Sequence, residues 1–257
     1  NFIDTALELT TKHNFFYFQV AYLKQHLVNE KDFFDTNNFK NISNYEATGM
    51  TVFKTDILKS IQGFDEFFHF WGAEDTDVHN RITNLGHKVH FYNENVLMAH
   101  QWHPSYIISQ SNKLTQKIQL SNIIEINHLH LKYNLINKIT KVNDVNWGEI
   151  QSNNLLKNIK VNNLPSYKSD VLYWINQIIN NLQSGDETAL KFILPADVFT
   201  LKYKIKKLLG KKVRDYYTLK QVNDIILLQV ISRLHNHIYS YRIDDNLQAI
   251  YFNIRKN

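Results

Sequence analysis

Gly63–Pro104 runs GFDEFFHFWGAEDTDVHNRITNLGHKVHFYNENVLMAHQWHP, and several elements are legible in it. Val78, Ile82 and Leu85 recur at helical spacing, which predicts a helix over Glu74–Leu85 ended by Gly86. Lys88–Tyr92 alternates in character and predicts a strand. A second apolar run, Val96–Ala99, leads into Ala99-His100-Gln101-Trp102-His103-Pro104. Upstream, Gly63 supplies the left-handed residue that closes a helix over Thr55–Ile61.

Working outward, Ile3–His13 reads as a helix, Phe15–Tyr22 as an aromatic-rich strand and Gly49–Phe53 as a short strand. Between them, Lys24–Tyr45 is polar and rich in Asn, and reads as a loop. Beyond about residue 111 the pattern is mainly helical, over Lys113–Tyr133, Ser169–Gln183, Val198–Leu209 and Thr218–Tyr241. The expected organisation is therefore an α/β region over 1–110 and a mainly α-helical region over 111–257.

Composition narrows the function classes. A chain of 257 residues with 44% hydrophobic and 21% charged residues has the makings of a packed core. Without cysteine it offers no disulfide framework, thiolate zinc site or cysteine nucleophile. No apolar run reaches the roughly 18 residues that span a bilayer. The start, NFIDTALELTTKHNFF, lacks the basic and apolar regions of a signal peptide. The absence of cysteine leaves the compartment open, with cytoplasm as the default expectation. The net charge of +5 permits contact with phosphates or an anionic membrane without requiring either. No nucleic-acid-binding module is legible, and nucleic acid is not expected as a partner.

The chemistry concentrates in Trp71-Gly72-Ala73-Glu74-Asp75-Thr76-Asp77. Carboxylates in a first helical turn are favoured by the helix dipole, at roughly 0.3–1 kcal/mol each, so good helix-start chemistry accounts for them on its own. Three features point further. An aromatic and a glycine directly before the acids suit a concave site with close backbone approach. Successive helical residues point about 100° apart, so Glu74 and Asp75 cannot both face the core. Histidine and tryptophan then follow an apolar strand a few dozen residues on.

These residues carry a resemblance. Gly49-Met50-Thr51-Val52-Phe53, Gly63-Phe64-Asp65-Glu66, Trp71 to Asp77 with Arg81, and His100 together resemble the C-terminal half of a GT-A fold glycosyltransferase of family 2. The segment is also similar to the galactosyltransferase C-terminal region and to chondroitin-polymerase-type transferases. The resemblance covers about residues 1–105 and is strongest over 49–103. It implies a partial GT-A (nucleotide-diphospho-sugar transferase) domain before the helical region. By the same resemblance, Asp75 matches the general base that deprotonates the acceptor hydroxyl. Glu74 matches an acceptor-binding acid, Trp71 and Gly72 the acceptor-facing wall, and His100 a ligand of a divalent metal. Asp77 and Trp102 are further substrate-binding candidates. The implied cofactor is Mn²⁺, or Mg²⁺, and the implied partners are a nucleotide-sugar donor, a UDP-sugar first, and a glycan or lipid-linked acceptor.

One departure matters. The Asp-x-Asp motif that holds metal and nucleotide in such enzymes is missing from its expected place ahead of Asn1-Phe2-Ile3. Asp75-Thr76-Asp77 has the letters but sits in the acceptor-side helix, and the acids of Asp32-Phe33-Phe34-Asp35 are wrongly spaced. The chain, which begins with Asn1, is therefore expected to be a C-terminal piece of a longer transferase, short of most of its donor site.

Other features leave alternatives open. His103, next to Pro104, is either a second-choice metal ligand or a turn residue. His128 with His130, and His235 with His237, read as surface histidines, because residues two apart on a helix do not face each other. Asp65 and Glu66 are expected to shape the turn after Gly63. Residues 201–214, LKYKIKKLLGKKVR, carry seven basic residues between leucines and an isoleucine. Either Lys202–Arg214 makes peripheral contact with an anionic membrane, or it is a solvated face over an ordinary core stripe. Finally, a non-catalytic glycan-binding or scaffold module remains the alternative to an enzyme. An enzyme requires Asp75 and His100 to line one open cleft.

Overall fold

A computed structural model describes residues 1–25, 29–106, 111–143 and 160–257. Residues 26–28 of the expected loop, 107–110 of the first region and 144–159 of the expected helical region lie outside the described residues. Two compact units divide the chain: Asn1–Ser109 with Ile123–Trp147, and Gln110–Asn122 with Gly148–Asn257.

The first unit contains α1 (Phe2–Lys12), β1 (Phe15–Phe18), β2 (Ala21–Leu23), β3 (Phe39–Ile42), β4 (Thr51–Phe53), α2 (Thr55–Ser60), α3 (Glu74–Asn84), β5 (His90–Tyr92), β6 (Ala99–His100) and α4 (Ile123–Ile136). Its organising segment is Phe15-Phe16-Tyr17-Phe18. Four consecutive aromatics have no polar face to offer water, so β1 needs cover on both sides, and all four are buried. Phe15 packs with Ile57 and Ile61 of the α2 region and with Val78 and Ile82 of α3. Phe16 and Phe18 point the other way, onto Leu9 of α1 and Tyr92. Each buried phenyl ring contributes about 1.5–3 kcal/mol, which makes this strand the main apolar anchor of the unit.

The expected strand Phe15–Tyr22 is two strands. β1 lies between antiparallel β4 and parallel β5, and β2 lies between antiparallel β3 and parallel β6. At the junction, the Gln19 N–H donates to the Tyr92 carbonyl and the Ala21 N–H to the Met98 carbonyl, each at 3.0 Å. The chain thus passes from the middle of one small sheet into the middle of the next. This sets Tyr22 opposite His100. The expected loop over Lys24–Tyr45 also contains β3, which the sequence reading missed because it is mostly exposed and polar.

Helix α4 begins later than the expected Lys113–Tyr133 helix. Asn122 stands at φ 58°, a left-handed conformation that interrupts a helix. The segment before it is held in the second unit, where the Gln119 carbonyl accepts from Lys220 Nζ (3.2 Å) and Asn223 Nδ2 (2.8 Å).

The second unit corrects the expectation of a mainly helical region. It contains β7 (Val161–Pro165), α5 (Lys168–Asn180), β8 (Glu187–Ile193), α6 (Leu201–Leu208), α7 (Leu219–Gln229), β9 (Ile238–Ile243) and β10 (Ala249–Arg255). The strands form one sheet in the order β7-β8-β10-β9, with β7 parallel to β8 and the other pairs antiparallel. Leu190 and Phe192 of β8 and Ile250, Phe252 and Ile254 of β10 face Val171 and Ile175 of α5 and Val222 and Ile226 of α7. Their two-residue period is a strand signature. The expected helix Thr218–Tyr241 ends as a π-helical turn over Val230–Leu234, after which the backbone turns at His235-Asn236 into β9.

Candidate active site

The site grows from the entry to α3. Phe70, Gly72 and Ala73 all have positive φ, at 65°, 101° and 77°. Ala73 is the N-cap, with no side-chain capping bond. A Cβ at Gly72 would meet no heavy atom within 4 Å, so glycine serves the backbone conformation there and not a tight contact.

A buried polar clamp holds this strained entry. Arg81, fully buried, donates through Nε to Asp77 Oδ2 (2.6 Å) and through its terminal nitrogens to the carbonyls of Ile61 (2.9 Å) and Gly63 (2.8 Å). Asn134 of α4 donates to Asp77 Oδ1 (2.9 Å) and Asp65 Oδ2 (3.1 Å), and Asn127 donates to the carbonyls of His69 and Trp71. His130 contacts Asp65 Oδ2 at 2.8 Å and stacks on Phe67 with ring centroids 3.8 Å apart. Burial alone would raise the Asp65 carboxyl, but bonds from His130, the Phe67 N–H and Asn134 outweigh it and hold the group below its ordinary value.

Two expectations change here. Asp77 is fully buried and committed to Arg81 and Asn134, so it cannot bind substrate; its position on the inward face of α3, one turn before Arg81, is the reason. His130 is a clamp residue and not a surface histidine, whereas His128 is exposed. Asp65 shapes the turn as expected, with Oδ1 accepting the Phe67 N–H at 2.9 Å.

Asp75 points the other way. It lines a cavity of about 390 Å³ together with Tyr22, Gly49, Met50, Met98 and His100. The Thr76 N–H donates to Asp75 Oδ1 (2.8 Å), and the Thr76 hydroxyl lies 3.1 Å from that of Thr48. A Cβ on Gly49 would sit 3.4 Å from Asp75 Oδ2, so glycine keeps this oxygen uncovered on that side. His100 is exposed, has no ion-pair partner among the described residues, and its ring lies 5.2 Å from Tyr22 and 5.1 Å from His103. An adjoining cavity of about 210 Å³ is lined by Tyr22, Lys40, Asn41, His100, Trp102 and His103. Asp75 and His100 therefore share one cavity, and His100 with Tyr22 joins it to the next.

The remaining candidates stand apart. Glu74 is exposed and Trp71 is 45% exposed; neither lines these two cavities. Trp102 lines the second cavity, and His103 Nδ1 lies 3.0 Å from the Pro104 carbonyl. Among the described residues no group of three or more His, Asp or Glu side chains is placed to hold a metal ion. Tyr22, Lys40 and Asn41 escaped the sequence reading as site residues, and Met50 entered it only within Gly49–Phe53, with no role at the site. For Tyr22 the signal was its place at the end of the aromatic strand.

His79, one turn beyond Asp75, is buried among the rings of Phe15, Tyr17 and Phe53. The Thr51 hydroxyl donates to the Thr48 carbonyl, so at 2.7 Å it accepts from His79 Nε2, which fixes the tautomer. Burial pushes the imidazole down to about 4, against the opposing pull of Asp75. Its ordinary value is 6.5, so the unfolded chain takes the proton first. The stability carried by neutral His79 is complete above pH 6.5 and is lost as pH falls toward 4, by about 3 kcal/mol in all. Urea unfolding at pH 7 and pH 4 is expected to show this loss in the wild type beyond that in His79→Gln. Equal losses would mean that His79 is not held neutral.

Residues 31–103 match the family model described as the N-terminal domain of galactosyltransferase. The matched stretch lies within the first unit and includes Gly49, Asp75, His100 and Trp102. It supports a glycosyltransferase-type domain in a mixed α/β fold. No curated protein and no solved structure gave a match.

Proposed function

We propose that the first unit carries the acceptor side of a GT-A glycosyltransferase site of the family 2, galactosyltransferase C-terminal type. The observation that carries this reading is the shared cavity of Asp75 and His100, inside a stretch that matches a galactosyltransferase-type family model. Asp75 acts as general base: it takes the proton of an acceptor hydroxyl as that oxygen bonds to the anomeric carbon of the donor sugar. The bond from that carbon to the nucleoside diphosphate breaks, its electron pair leaves with the diphosphate, and the configuration inverts. Trp102 offers an indole face to a sugar ring, and Lys40 puts a cation beside His100, which suits a diphosphate. Glu74 and Trp71, at the exposed rim of α3, meet the more distant part of the acceptor.

The donor is a nucleotide sugar, a UDP-sugar first, and the acceptor a glycan or lipid-linked sugar of a bacterial surface polysaccharide. For a divalent ion, Mn²⁺ or Mg²⁺, the described residues offer His100 with His103 beside it. That set is incomplete, and no step is assigned to the metal. The compartment is the cytoplasm, at the inner face of the membrane, with peripheral contact through Lys202–Arg214. The partly exposed Trp71 and Trp102 favour a second reading, a glycan-binding module without catalysis.

The test measures UDP released by the native protein from a panel of UDP-sugars, with and without candidate acceptors. Release that rises on adding an acceptor is the expected result. Acceptor binding without release selects the binding module, and neither binding nor release overturns both readings.

A further inference from the structure

Helix α6 presents an apolar stripe to solvent. Leu201, Ile205, Leu208 and Leu209 recur at i, i+4, i+7 and i+8, the spacing of a helix face that normally packs on a core. Here they are 77%, 54%, 88% and 62% exposed, and Tyr203 is the sole buried residue of the helix. The core-stripe alternative from the sequence is thereby overturned: the leucines face outward.

Cations surround the stripe. Lys202, Lys204, Lys206, Lys207, Lys211 and Lys212 pair with no carboxylate among the described residues. Lys202, Lys206, Lys212 and Arg214 also line one cavity of about 320 Å³. Asp197 lines it too; it accepts the Tyr167 hydroxyl at 2.6 Å and keeps its negative charge, so four cations share the lining with one carboxylate. Arg214 is braced by an ion pair with Asp170 and lies 3.9 Å from the centroid of the Tyr167 ring. With Arg214 paired to Asp170, Lys202, Lys206 and Lys212 still outnumber the one carboxylate of the lining, and this excess of positive charge suits an external anion.

We propose that the second unit docks on an anionic bilayer through this helix. Leu201, Ile205, Leu208 and Leu209 enter the boundary between headgroups and acyl chains, and the cavity of Lys202, Lys206 and Lys212 receives a phospholipid phosphate. This deepens the membrane contact proposed above and is independent of the glycosyl-transfer reading, since it concerns other residues and a different assay. Apolar side chains and lysines on adjoining faces of one helix are what an interface with anionic lipid selects. A nucleic acid would use the cations but leave the exposed leucines unpaid in water.

The test is sedimentation of the full chain with phosphatidylcholine vesicles, with and without phosphatidylglycerol. Binding is expected only with the anionic lipid and is expected to weaken with added salt. Each lysine near such a surface is worth about fivefold in partitioning, so Lys202→Gln, Lys206→Gln and Lys212→Gln together should weaken binding about a hundredfold. Ile205→Ser with Leu208→Ser should also abolish binding, and both variants should melt like the wild type because the changed side chains are exposed. Equal binding to neutral vesicles, or no binding to anionic ones, overturns the proposal. So does a dimer in analytical ultracentrifugation that Leu208→Ser dissolves, which would make a second copy the occupant. Binding of inorganic phosphate without vesicle binding would overturn the bilayer as well.

Discussion

Asp75→Asn is expected to lower the turnover of glycosyl transfer by about 10²–10⁴-fold, the usual contribution of a positioned general base. The substitution nearly conserves shape, and the amide oxygen can still accept the Thr76 N–H that holds the side chain. It removes the capacity to take a proton from the acceptor hydroxyl. Binding of the acceptor should change little, so the loss should fall on kcat and not on KM. The melting temperature should also stay close to that of the wild type, because Asp75 is only half-buried and belongs to no ion pair among the described residues. Steady-state kinetics of UDP release, with acceptor varied at saturating donor, reads these quantities. Full activity in the variant would remove Asp75 from the base role while leaving the transferase reading intact.

Arg81→Met is the second large effect, and it is one of stability. Arg81 is fully buried and holds three acceptors: the Asp77 carboxylate and the carbonyls of Ile61 and Gly63. Methionine fills much of the space but donates nothing. Asp77 would then be left in the interior with the Asn134 amide as its remaining hydrogen-bond partner. Removing one partner of a buried pair costs about 3–5 kcal/mol, since the other charge stays desolvated. Urea unfolding should show this loss. A cost below about 1 kcal/mol would mean that the guanidinium is not buried against Asp77. Adding Asp77→Leu should recover part of the loss, because the stranded charge is then gone.

The two acids separate by helix geometry. Asp75 and Asp77 differ by two positions, about 200° of rotation, so one faces the cavity when the other faces the interior. The spacing carries that separation, although the sequence reading placed both acids at the site. Which acid would turn inward was not legible, because the partners that decide it, Arg81 and Asn134, come one turn and a whole helix later. The clamp on α4 left a mark of its own: Asn127, His130 and Asn134 recur at i, i+3 and i+7, where an apolar stripe would ordinarily lie. The aromatic strand and the glycine stops after α2 and α3 were also readable, since steric and burial constraints act within a few residues. Of the strands of the second unit, β9 was misread as helix for a local reason, and β7, β8 and β10 were given no element. The short run Ile238–Ile243 follows a helical pattern without a glycine or proline to mark the change.

The passage of the chain through the two units has a consequence for its synthesis. Residues 110–122 belong with the second unit, and α4 then returns to complete the first. A polypeptide truncated at residue 110 would lack Asn127, His130 and Asn134, leaving Asp65 Oδ2 and the His69 and Trp71 carbonyls without these partners. On the ribosome, the first unit must therefore wait for α4 to emerge before its clamp can close, while the segment around Gln119 waits longer still for Lys220 and Asn223 of α7. Ribosome-arrested chains of increasing length should resist proteolysis in the first unit only once α4 has cleared the exit tunnel.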